Sequence, residues 1–136
     1  MARIEQAVYS ILSAATAVTA TVSTSNPRIY PNYLPQDAPL PAIVQERIST
    51  IRLSAMSDDP DMSEVRMQIS AMATSVSAVH GLADNIRRAF YRYTGTIASV
   101  TIGDCWLENE SSLYFSDIEV HQLALDYMFR FTETTS

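Results

Sequence analysis

Between Gln122 and Phe131 the chain alternates without a break. Leu123, Leu125, Tyr127, Phe129 and Phe131 fall on one side, and Gln122, Ala124, Asp126, Met128 and Arg130 on the other. A period of two places successive side chains on opposite faces of a strand, so one face is apolar and has to be covered. Such a segment commits the chain to a sheet with a second layer packed on it. Glu64-Val65-Arg66-Met67-Gln68-Ile69-Ser70-Ala71 repeats the pattern.

The covering layer is legible as helices. Ile4, Ala7, Val8, Ile11, Leu12 and Ala15 recur at helical spacing, which predicts a helix over 3–15. Val79, Leu82, Ala83, Ile86, Ala89, Phe90 and Tyr93 do the same over 76–93, with Ser75 or Ser77 as cap and Gly95 as terminator. Thr16 to Asn26 reads as a short helical turn followed by a loop, and Ile29-Tyr30 as a minor edge strand. Strands are expected at 42–54, 64–72, 97–107 and 120–132. Glu108 to Ser116, acidic and serine-rich, reads as a connection. The expected architecture is a single α+β domain over 1–136: an antiparallel or mixed sheet of about four strands, with two helices on one face. Met67 or its neighbours, and Met128 with Arg130, make the other face partly apolar, which suggests association.

A stiff segment interrupts this pattern at 30–41. Four of the six prolines lie between Pro31 and Pro41, with Tyr30, Tyr33, Leu34 and Leu40 among them. Proline rings remove backbone donors and exclude a helix here. A rigid, apolar, aromatic loop loses little entropy on docking, so it reads as a contact surface.

Composition narrows the function classes. The net charge is -6, and all nine cations are arginine. An acidic chain lacks the basic face that tight nonspecific nucleic-acid binding needs. The start has no basic region leading into an apolar run, and Leu12 to Val22 is too short and polar to span a bilayer, so a soluble protein without a membrane role is expected. A single cysteine, Cys105, excludes an internal disulfide.

The residues offer no catalytic or metal-binding signature. Cys105 with His80 or His121 shows no local nucleophile signature, and a buried inert thiol is the stronger interpretation. A small ligand-binding or hydrolytic α+β domain using Cys105 stands as the alternative. The thiol and imidazoles do not stand at metal-ligand spacing. Asp58, Asp59 and Asp61 cluster in one loop without the glycine and distal glutamate of a calcium loop. The three glycines form no phosphate cradle, and the pairs Glu108/Glu110 and Asp117/Glu119 lack a cleft. No cofactor is expected. Arg87, Arg88 and Arg92, interleaved with Tyr91 and Tyr93, read as an inter-subunit salt-bridge patch ahead of a single-strand nucleic-acid site.

Taken together, "IEQAVYSILSA", "RIYPNYLPQDAPLPAIVQERIS", "SAVHGLADNIRRAFYRY" and the final "HQLALDYMFRF" resemble the tail-completion, or tail-terminator, proteins at the head–tail junction of tailed bacteriophages. The resemblance spans nearly the whole chain. One departure is Ile69-Ser70-Ala71-Met72, where that family often carries a cysteine or an aromatic pair. The resemblance implies a structural virion protein with no catalytic residues, built in the host cytoplasm and placed at the neck. It implies a ring, usually hexameric, that caps the tail tube, meets the head connector and lets DNA pass without specific binding. A ring needs two different patches meeting head to tail. Tyr30, Pro31, Tyr33, Leu34 and Pro35, with Arg87, Arg88 and Arg92, are the expected interface. Asp58, Asp59 and Asp61 are the expected lumen or ring-facing loop.

Overall fold

The computed structural model of the chain describes residues 3–23, 25, 27–52 and 62–133. In order these form α1 (Ile4–Ala14), α2 (Thr16–Val22), β1 (Ile29–Pro31), β2 (Ala42–Arg52), β3 (Met62–Ala73), α3 (Val76–Phe90), β4 (Gly95–Ile97), β5 (Val100–Phe115) and β6 (Val120–Glu133). The strands make one six-stranded sheet in the order β1-β2-β3-β6-β5-β4. Only β1 and β2 run parallel; the other neighbours are antiparallel.

The alternating segments occupy the centre. Val65 faces Phe129, Met67 faces Tyr127, Ile69 faces Leu125 and Ala71 faces Leu123 across the β3–β6 ladder. These residues join the buried faces of α1, α2 and α3 in one cluster, so the helices cover a single side of the sheet. Phe90 of α3 packs edge-on to Phe129 with ring centroids 5.6 Å apart, and sits 5.2 Å from Tyr127. The Ser75 hydroxyl caps α3 by accepting from the Ala78 N–H at 3.1 Å.

The expected four-stranded sheet with two helices is corrected here. The domain is mostly sheet, with six strands and three short helices among the described residues. The two strands beyond the four, β1 and β4, are three residues long: β1 is the minor edge strand expected at Ile29-Tyr30, and β4 is too short to display a period. The segment Glu108 to Phe115, expected as a connection, continues β5 and pairs with β6 through Glu110–Leu125, Ser112–Leu123 and Leu113–Gln122. Its residues are exposed on both faces, so no apolar alternation marks it, and only the partner strand holds it extended. Helix α3 stops at Phe90, because Arg92 adopts the left-handed conformation (φ 50°) that Gly95 was expected to supply.

The uncovered face is partly apolar, and one residue expected on it lies elsewhere. Met67 is not on it but fully buried under the helices. The middle of the face is a hydrogen-bonded polar net beside the half-buried Met72 and Met128: Asp126 accepts from Arg66 at 2.9 Å and from Gln68 at 3.2 Å, Gln122 donates to Ser70 at 3.0 Å, and Arg130 donates to Glu64 at 3.2 Å. Arg130 also lies over the Trp106 ring. Satisfied hydrogen bonds let Ser70, Gln122 and Asp126 be buried in this layer without a second helical sheath.

On the covered face, α1 is pinned to β2 by Arg47, which donates to both carboxylate oxygens of Glu5 at 2.6 and 3.1 Å. Burial opposes ionisation of Glu5, but the hydrogen bonds and positive charge of Arg47 outweigh it and hold its pKa below the ordinary 4.5. A depressed folded pKa gives stability that is present above the ordinary value and lost as pH falls through the folded one. Acid titration of unfolding should therefore show a loss below pH 4.5 that Arg47→Gln reduces. Both groups are partly solvated, so the difference at neutral pH is expected to stay under about 1 kcal/mol.

Candidate functional site

The site candidates fall on two sides of the sheet. The proline segment leaves β1, whose Tyr30 is half-buried and whose Pro31 is exposed, and continues into Tyr33, which is 71% exposed. Its backbone is anchored at both ends. The Asn32 N–H donates to the Gln45 carbonyl at 2.8 Å, and the Arg28 Nε donates to the Pro41 carbonyl at 2.9 Å. Leu34, Pro35 and Leu40 form one wall of a groove of about 590 Å³, and Met72, Phe115 and Val120 form the other. Met72 and Phe115 belong to the uncovered face by their register with Gln122 and Val120. Among the described residues the only charged one lining this groove is Asp37.

The turn between β5 and β6 extends the apolar surface. Leu113, on the same face as Phe115, is 50% exposed and Ile118 61%, while Tyr114, 53% exposed, falls on the other face by its register with His121. The interface residues expected from sequence did not include these, because the segment reads as an acidic connection. The available signal was Leu113-Tyr114-Phe115, three large apolar residues in succession.

The three arginines are not part of that surface. Arg87 lies on the helix-covered side and is held within the chain, donating to Glu110 at 2.6 Å and to Asp84. Arg88 is exposed, donating to Asn85, and Arg92 is exposed, lying over the Tyr91 ring. Asp58, Asp59 and Asp61 lie outside the described residues.

Cys105 is buried against Phe90, donating its S–H to the Phe90 carbonyl at 3.7 Å. Burial, with a smaller push from the Asp104 carboxylate, raises its pKa to about 12. A thiol held protonated at neutral pH is a poor nucleophile. His121 stacks on Tyr114 with centroids 4.5 Å apart, and His80 is exposed on α3. Among the described residues no group of three metal-binding side chains occurs, and no helix is long and apolar enough to cross a membrane.

The described residues present an exposed apolar surface and no assembled catalytic constellation. The sequence matches the family described as Tail completion protein gp17 over residues 6–132, and the chain belongs to that family. It is thus a structural protein of a phage-type tail. No curated protein matches the chain. Its fold is similar to that of a chain in the virion of a native gene transfer agent (GTA) particle. The TM-score is 0.70 at 15% identity, with 93% of each chain covered.

Proposed function

We propose that this protein terminates the tail: copies join head to tail in a hexameric ring that caps the tail tube and receives the head connector. Family membership across residues 6–132 carries this reading. The exposed apolar surface built from Tyr33, the proline groove and the β5–β6 turn supports it, since a solvated monomer has no use for such a concentration of large apolar side chains. The role places the chain at the neck of the virion, after assembly in the host cytoplasm. It requires no catalysis. The net charge of -6 suits a bore through which DNA slides without adhering, because a negative wall lowers phosphate affinity. A ring whose bore is lined by Arg88 and Arg92 would contradict that part.

The test is the mass of the purified chain alone and after mixing with tail tubes. Tail termination predicts a discrete multiple of the chain at tube ends; a chain that stays monomeric beside the tubes would refute it.

A further inference from the structure

The sheet ends in two unlike edges. Strand β4 covers β5 only from Val100 to Ile102. From Gly103 to Phe115, β5 has no strand on its outer side among the described residues. On the opposite edge, β1 covers β2 only from Ile43 to Gln45, and Ile48 to Ile51 has no outer strand among the described residues. Ile48 and Ile51 are both exposed there, as Leu113, Tyr114 and Phe115 are on β5. Long bare edges recruit other strands unless blunted. Strand β1 is blunted: Pro31 has no N–H, and the Ile29 N–H is already given to the Pro27 carbonyl at 2.9 Å. Strand β5 contains no proline between Gly103 and Phe115.

We infer that the bare edge of β5 takes the bare edge of β2 from a second copy of this chain, so that the sheet runs on from subunit to subunit. This rests on the self-assembly reading above and names the surfaces that carry it. Strand direction agrees. The pairs β2–β3, β3–β6 and β6–β5 are all antiparallel, so β5 runs opposite to β2. A neighbour placed by rotation about an axis inclined to the strands, as in a closed barrel, therefore meets β5 with an antiparallel β2 that is shifted along it. The contact joins two different edges, which is the heterologous type that closes into rings. An isologous β5–β5 pairing would leave the exposed isoleucines of β2 unused. Strand β1 of the neighbour stands at the level of Glu110 to Ser112, as the rows Ile43–Ala71–Leu123–Ser112 and Gln45–Ile69–Leu125–Glu110 show. The neighbour is therefore displaced along the strands, bringing its Ile48–Ile51 beside Glu110–Leu113. Its β1 and Tyr33 then fall next to the β5–β6 turn.

Single-cysteine chains in a Cys105→Ser background test the pairing by disulfide trapping under air oxidation. Each variant is first checked for wild-type melting. Ser111 and Ser49 both lie on the uncovered face, by register with Ala124 and Arg66. Ser111→Cys mixed with Ser49→Cys or Ile51→Cys, concentrated or bound to tail tubes, should shift to twice the single-chain mass. Ser112→Cys, on the covered face, should not cross-link to either. Cross-linking of Ser111→Cys to itself alone would overturn the inference in favour of a two-fold contact. Absence of any cross-link in protein that still assembles would overturn it while leaving tail termination standing. Absence of assembly itself would sink both.

Discussion

Phe129→Ala should cost about 3–5 kcal/mol of folding stability, the largest loss expected from a single side chain in this protein. Phe129 is fully buried at the middle of β6, opposite Val65 on one neighbour and Cys105 on the other. Its ring meets Phe90 edge-on, so truncation removes apolar burial, leaves a void under α3 and breaks the aromatic contact that holds that helix to the sheet. A domain of this kind is stable by roughly 5–15 kcal/mol in total, so the variant should approach the unfolding threshold at physiological temperature. Denaturant titration measures the loss directly. A midpoint within error of wild type would mean that α3 does not pack on β6 as described. The same experiment on Met128→Ala, half-buried on the uncovered face, should give a much smaller change.

Tyr33→Ala combined with Leu113→Ala should act in the opposite way, leaving the fold intact and disabling assembly. Both side chains are at least half exposed, so the monomer loses little packing. If they anchor a subunit contact, one such truncation costs about 2 kcal/mol, or roughly thirtyfold in affinity. A ring repeats the contact at every junction, so the loss compounds. The readout is the fraction of tails that carry heads in a preparation supplied with the variant. Normal joining by a normally folded double variant would remove this end of the sheet from the interface.

The covered core was legible in the sequence because two physical periods are strict there. Val65 to Ala71 and Leu123 to Phe131 alternate, and α1 and α3 show helical stripes, so each could be assigned from its own residues. The sheet's margins were not legible, for reasons that differ by element. Strand β4 is too short to carry a period, and β1, equally short, was legible only as a minor edge strand at Ile29-Tyr30. The outer half of β5 is exposed on both faces, and its extended form is imposed by hydrogen bonding to β6, a long-range fact that composition does not encode. The same blindness hid the candidate site. The proline segment was visible because proline and tyrosine are locally distinctive. Leu113 to Ile118 became its neighbour only once β5 reached as far as Phe115. The arginines were grouped by adjacency in sequence, yet Arg87 is held by Glu110, a partner that no local pattern reveals.

The most direct measurement is the mass added to isolated tail tubes by the purified chain, read together with its position by electron microscopy. A single closed collar at one end of each tube, of fixed stoichiometry and saturating with added protein, is the predicted result. Decoration along the tube wall, or no binding by protein of wild-type stability, would contradict a tail terminator.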